Sequence, residues 1–299
     1  MPNVKEIVKS FKEFLSADYD PEELDQIIVA SFEHVCAFSR ADLILSASGI
    51  LTKTETDELL RIQDSLRKGY PIQHILGYSW FMDNKYKVSA DVLIPRPETE
   101  ELVRWVVDDH VLINSYQLNV LDVCTGSACI ALSLTKFYPS WNIKALDISE
   151  PALKIAAENM RAHNASIKLF KADILDWKND RNILSEFTQA DRQSGGLDVI
   201  VSNPPYIPES MRTRLSPRVA EHEPSIALFV PDNDPIIFYR AIAEFSLAHL
   251  RTGGKLYFEI NRDLGPEIVE MLVNLKFFSV QLRKDIQGNN RMISASLNL

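Results

Sequence analysis

Strands and helices alternate along the sequence after residue 100, which predicts an α/β fold with a largely parallel sheet. Three observations carry that expectation. Apolar, β-branched runs at Asn119–Val123, Ile143–Ile148, Ile167–Lys171, Asp198–Ser202, Lys255–Ile260, Phe278–Arg283 and Met292–Ser296 have the length and content of strands. Helical stretches separate them at about 101–113, 127–137, 150–163, 235–250 and 265–275, the spacing of βαβ units covered on both faces. The last two strands are joined only by Lys284–Arg291, which contains Gly288 and is too short for a crossover helix, so they form an antiparallel hairpin. The expectation is a Rossmann-like, seven-stranded sheet with its last hairpin antiparallel, unlike the usual nicotinamide-binding sheet.

The elements in front of this sheet follow from local chemistry. Residues 1–70 read as a small N-terminal helical bundle, suited to packing or to recognition of a substrate or partner. Asp20-Pro21 opens a helix whose first turn is acidic (Glu22, Glu23, Asp25) and whose Leu24, Ile27, Ile28 and Phe32 share a face. Thr52 with Glu55 three residues on marks another helix start, followed by Leu59, Leu60, Ile62 and Leu66 and ended at Lys68-Gly69. Residues 71–100 read as a hairpin linker turning around Asp83-Asn84. Within it, Pro95 and Pro97 forbid a helix before Glu98. The third region is 101–299, in which 178–196 is polar and reads as a surface excursion.

Composition excludes several classes. With 46% hydrophobic residues, 10 Gly and 15 Pro in 299, the chain is neither collagen-like nor low-complexity. Cys36, Cys124 and Cys129 cannot all pair with one another, and nothing points to an oxidising compartment. The opening residues alternate charge and apolar groups as an amphipathic helix does, and no apolar run approaches the roughly 18 residues that span a bilayer. A soluble cytoplasmic protein with no membrane partner is expected. The net charge is −9, and residues 1–87 hold 10 Lys/Arg against 14 Asp/Glu, so neither part is basic. That balance disfavours a nucleic-acid partner. The six histidines lack metal-ligand spacing, and no metal is expected.

Two segments carry chemistry. Asp122-Val-Cys124-Thr125-Gly126-Ser127-Ala128 runs from the first strand into a helix starting near Ser127, where unpaired N–H groups and a close backbone approach at Gly126 suit a nucleotide-like ligand. Asp147, about 20 residues on and followed by Ile148, can accept hydrogen bonds from both ribose hydroxyls. Asp173, followed by Ile174, ends the next strand. Three carboxylates at three successive strand ends would repel a pyrophosphate and favour a cationic nucleoside, S-adenosylmethionine. The second segment is Asn203-Pro204-Pro205-Tyr206 at the end of the fourth strand. Two prolines stiffen a turn rich in acceptors, Asn203 adds a side-chain carbonyl, and Tyr206 offers an aromatic face. Such a corner holds a planar –NH2 group and aims its nitrogen at a methyl donor.

With these motifs, the chain resembles the HemK/PrmC-type protein-(glutamine-N5) methyltransferases of peptide-chain release factors. The resemblance covers nearly the whole chain and rests on Pro71–Gly77, Ile94–Glu100, the loop at 122–128, 203–206, and Glu223-Pro224 with Ala227-Leu228. It implies a class I methyltransferase domain and methyl transfer from S-adenosylmethionine to the glutamine of a Gly-Gly-Gln motif. Glutamine methylation of a ribosomal protein and adenine-N6 methylation of nucleic acid stand as alternatives. A binding module without catalysis is a third, because the family usually has glycine where this chain has Cys124 and Ala128. Around the acceptor corner, Arg96 and Glu98 are expected to hold substrate or to tie the linker down. Arg212, Arg214 and Arg218 are expected to be solvated.

Overall fold

The computed structural model describes residues 1–111, 117–188 and 196–298. The chain packs as two units, one formed by Met1–Tyr78 with Ser216–His222 and the other by Ser79–Leu215 with Glu223–Leu299.

In the first unit, helices α1 (Val4–Leu15), α2 (Pro21–Cys36), α3 (Arg40–Leu45), α4 (Lys53–Arg67) and α5 (Ile72–Leu76) enclose a core that includes Phe11, Leu15, Phe32, Leu59 and Ile62. The Thr52 hydroxyl accepts the Glu55 N–H while the Glu55 carboxylate accepts the Thr52 N–H, so the reciprocal cap read from the sequence is formed. Asn3 with Glu6 and Ser39 with Asp42 make the same cap on α1 and α3. Ile72, Ile75 and Leu76 pack on this core, so α5 belongs with the helices although it lies beyond residue 70. Arg218, expected to be solvated, instead stacks 3.6 Å over the Tyr19 ring and donates to Glu23 and the Asp18 carbonyl.

The second unit opens with a hairpin, β1 (Tyr78–Phe81) and β2 (Asn84–Lys87). Its two turn residues are Met82 and Asp83, both at positive φ, one residue earlier than the sequence suggests. Helix α6 (Pro97–His110) starts at Pro97, ahead of both Glu98 and 101. A proline in the first helical position loses no hydrogen bond, because the N–H it lacks would have had no partner there. Residues 112 and 113, expected in this helix, lie outside the described residues.

The sheet follows: β3 (Asn119–Val123), helix α7 (Cys129–Phe137), β4 (Asn142–Asp147), helix α8 (Glu150–Ala162), β5 (Lys168–Lys171), helix α9 (Arg181–Glu186) and β6 (Leu197–Ser202). The short α9 falls within the expected excursion 178–196 and buries Ile183, while 189–195 lie outside the described residues. Strands β7 (Ile207–Pro208) and β8 (Phe229–Val230) pair in parallel, and β9 (Leu250–Glu259), β10 (Phe278–Lys284) and β11 (Asn290–Ser296) complete the main sheet. Its order is β10-β11-β9-β6-β3-β4-β5, with β11 antiparallel to both neighbours and the other pairs parallel. All seven expected strands are present, and the final hairpin is antiparallel as expected.

Strand order reverses at β3, which lies between β4 and β6. Ligands of open α/β sheets bind in the crevice outside the carboxyl ends at such a reversal. Register brings three strand ends together there: Val123 pairs with Ser202, and Ser202 with Phe258. Two buried layers flank the sheet, one around Trp105, Ile130 and Leu134 and the other around Tyr239, Phe245 and Ile268.

Candidate active site

The loop after β3 takes its shape from three residues in the left-handed region, Cys124 (φ 61°), Gly126 (φ 53°) and Ala128 (φ 64°). Only one of the three is glycine. At Cys124 and Ala128 the Cβ is strained, each residue costing about 1–2 kcal/mol relative to ordinary backbone. The surrounding bonds hold it nonetheless. The Thr125 N–H donates to the Leu146 carbonyl at 3.0 Å, the Gly126 N–H to Asp147 Oδ2 at 2.9 Å, and the Ala128 N–H to the Thr125 carbonyl at 2.8 Å. Helix α7 therefore begins at Cys129, two residues after Ser127.

A cleft lies over this loop, with about 780 Å³ of space including its open mouth. Of the residues singled out in the sequence, Arg96, Cys124, Thr125, Gly126, Ser127, Asp147, Ile148, Asn203 and Pro205 line it. Val92, Ile226 and Phe238 add apolar wall. Asp147 sits at the end of β4, its Oδ1 accepting the Ser149 N–H at 2.9 Å, and burial pushes its carboxyl above the usual range. Each oxygen accepts one backbone N–H and keeps a lone pair for a ligand. Ser149, not Asp147, caps α8.

Other expected residues stand elsewhere. Asp122 does not line the cleft. It is fully buried beneath the loop, where Oδ2 accepts from Thr125 Oγ1 at 2.6 Å and from the Ala131 N–H at 3.3 Å. Burial raises its carboxyl to about 7. It braces the loop from behind through Thr125 and Ala131. Ala128 is fully buried, and Ile174 is packed in the core. Asp173 caps a short turn through the Leu175 N–H at 2.9 Å. Pro204, Tyr206 and Glu98 also fall outside the cleft lining. Cys129 is buried and Cys124 half-buried, and both line the cleft.

The acceptor corner is held by side chains. The Asn203 Nδ2 donates to Thr99 Oγ1 at 3.1 Å, Thr99 Oγ1 donates to Glu259 Oε2 at 2.5 Å, and the Tyr206 hydroxyl donates to Glu259 Oε1 at 3.2 Å. Thr99 and Glu259 are 2% and 1% exposed, so neither is shared with solvent. Burial raises the Glu259 carboxyl, opposed by the Thr99 bond and the Arg291 charge, and it also raises the Tyr206 hydroxyl. Asn203 Oδ1 is buried with no hydrogen-bond partner among the described residues. Glu223, its side chain buried, accepts the Ile94 N–H at 3.1 Å and pairs with Arg96. That pairing secures the 91–96 wall and neutralises Arg96, the one cation among the described residues that line the cleft.

This geometry has known relatives. Residues 6–77 match the PrmC N-terminal domain and residues 109–219 match the Methyltransferase small domain. The chain is 36% identical over 294 residues to the release factor glutamine methyltransferase of Flavobacterium psychrophilum, covering 98% of this chain and 99% of that one. It is 37% identical over 290 residues to the protein of the same name from Bacteroides thetaiotaomicron, covering 97% and 99%. The chain belongs to the release factor glutamine methyltransferase family. It is an α/β enzyme of class I methyltransferase fold, preceded by the helical region that the family shares. The solved catalytic domain of hMettl16 has the same fold at 18% identity, with a TM-score of 0.51 over 71% of this chain and 74% of that one.

Three residues that hold the site go beyond the sequence expectations. Thr99 lies inside the Ile94–Glu100 motif, where nothing sets it apart from its neighbours. Glu259, a lone carboxylate ending the apolar strand β9, carries the same mark that exposed Asp122 and Asp147. Asn159 is buried in α8, where its amide holds the Ser127 carbonyl at 3.0 Å and both backbone groups of Lys87. Nothing in the helix pattern distinguishes it.

Among the described residues, no group of His, Cys, Asp or Glu side chains is arranged to hold a metal, and no helix is long and apolar enough to cross a membrane.

Proposed function

We propose that this enzyme transfers the methyl group of S-adenosylmethionine to the side-chain amide nitrogen of a glutamine, that of the Gly-Gly-Gln motif in class 1 peptide-chain release factors. The observation that carries the reading is Asn203 Oδ1, a buried acceptor at the cleft with no partner among the described residues. Leaving such an atom unpaired costs about 1–3 kcal/mol, and a carboxamide –NH2 supplies the missing donor.

The cleft fits the methyl donor. Its charged lining consists of Asp91, Asp147 and Arg96, and Glu223 neutralises the last. An anionic, partly apolar cleft suits a cationic nucleoside and disfavours a phosphate. In this reading Asp147 receives the ribose hydroxyls, the 124–127 backbone follows the ligand, and Val92, Ile148 and Phe238 cover its flat ring. The bound donor supplies a methyl group on a positively charged sulfur.

The protein's own contribution is orientation. An amide nitrogen is a weak nucleophile because its lone pair is delocalised into the carbonyl. Asn203 Oδ1 accepts one N–H, and the acceptor-rich turn, which reaches the cleft at Pro205, takes the other, so the nitrogen is held in one direction. Those acceptors also stabilise the positive charge that develops on nitrogen as the new N–C bond forms. The proton then leaves to solvent. Tyr206, tied to Glu259, braces the corner. The helical unit is proposed to recognise the protein substrate.

The test is label transfer. Incubated with methyl-labelled S-adenosylmethionine and a release factor, the enzyme is expected to label that protein at the glutamine and to leave its Gln→Ala variant unlabelled. Equal labelling of the Gln→Ala variant would refute the reading.

A further inference from the structure

An asparagine carboxamide has one accepting end and one donating end, and only the accepting end can hold a substrate N–H. Something must therefore decide which end faces the cleft. Within the catalytic unit, the direction of one hydrogen-bond chain decides it. A carboxylate only accepts, and Glu259 receives hydroxyl donors on both oxygens, Thr99 at 2.5 Å on one and Tyr206 at 3.2 Å on the other. The Thr99 hydroxyl has a single proton, and Glu259 takes it. Thr99 Oγ1 is then left with lone pairs, to which the Asn203 Nδ2 donates at 3.1 Å. The amide nitrogen is thereby engaged, and Oδ1, which has no partner among the described residues, is left as the end free to accept from a ligand. Reversing the Thr99 hydroxyl would invite the opposite rotamer and present N–H groups to a substrate that also carries N–H groups.

We infer that Thr99, with its proton committed to the buried Glu259, is the positioning residue that fixes the Asn203 carboxamide with its oxygen toward the substrate. The inference rests on the reading that Asn203 accepts from a substrate amide. It goes further in naming what sets that polarity. Thr99 lines the cleft beside Asn203 but is only 2% exposed, and the role inferred for it acts through Asn203.

The experiment compares Thr99→Val with Thr99→Ser in the full-length enzyme acting on a release factor. Valine keeps the shape and removes the relay, while serine keeps the hydroxyl. Thr99→Val is expected to lower kcat by about tenfold or more, because the carboxamide is no longer held in one orientation. KM for the release factor and the dissociation constant for S-adenosylmethionine should stay near wild type. Thr99→Ser is expected to recover most of kcat. A wild-type kcat in the valine variant, a loss confined to KM, or a serine variant as slow as valine would each overturn the inference.

A double-variant cycle removes the remaining ambiguity. Asn203→Asp presents an oxygen whichever way it turns, so it no longer needs a relay. Adding Thr99→Val to Asn203→Asp should therefore cost less than about twofold, a non-additive result of the kind coupled neighbours give. The same tenfold loss in both backgrounds would mean that Thr99 only supports the structure. Wild-type enzyme that fails to methylate glutamine would sink the functional reading itself, whereas normal glutamine methylation with an indifferent Thr99 would sink this inference alone.

Discussion

The two sides of the cleft are held by different means. The donor-side loop at 124–128 takes its shape from three residues at positive φ, with carbonyl or carboxylate partners for its N–H groups and the Asp122 and Asn159 side chains bracing it from behind. The acceptor corner at 203–206 is shaped by side chains, through a buried chain that runs from Asn203 to Thr99 to Glu259 and out again to Tyr206. A loop set by its dihedral angles tolerates changes of residue as long as those angles survive, which is why cysteine and alanine can stand at two left-handed positions that favour glycine. A corner held by side chains has no such latitude, since each link depends on a particular donor or acceptor. Binding should therefore be lost gradually on the first side and turnover abruptly on the second.

The largest binding effect is expected at Asp147. Charge-assisted hydrogen bonds contribute about 1.5–3 kcal/mol, so Asp147→Ala should weaken S-adenosylmethionine binding by roughly 10- to 100-fold in calorimetry. With saturating donor, kcat should change little. An unchanged dissociation constant would show that the carboxylate serves only its two backbone N–H groups, and the contrast between the two sides would fail. The smallest effect is expected at Cys124. Cys124→Gly removes the strained Cβ but frees the unfolded chain, so it should stabilise the protein by no more than about 1 kcal/mol, a shift of a few degrees in Tm. Donor affinity should hold. A clear loss of stability would mean that the thiol side chain, and not the backbone, maintains the loop.

Much of this architecture was legible because the sequence writes it in periodic form. Strand runs and helical faces repeat, and the Lys284–Arg291 link leaves the last two strands no choice but a hairpin. Reciprocal caps such as Thr52 with Glu55 are local, and they formed as read. Helix starts were less legible, because Pro97 reads as a breaker yet serves as a first helical residue. The loop and the acceptor corner were found because they sit at strand ends. What stayed hidden is what lies behind them. Asp122 and Asp147 look alike in sequence, but one is buried under the loop while the other reaches the cleft, a distinction of side-chain direction that no spacing encodes. Thr99 and Glu259 are 160 residues apart in sequence and meet only when the sheet is assembled. Arg218 reads in the sequence as a solvated loop cation, but it packs on Tyr19 far away in the chain.

The central claim is that Asn203 offers an oxygen to the amide that receives the methyl group, and single-turnover methyl transfer by Asn203→Ala tests it most directly. With folding confirmed and both substrates saturating, the rate is expected to fall by roughly 100-fold or more, as when one positioned polar group is removed from a transition state. A rate within about twofold of wild type would contradict the account.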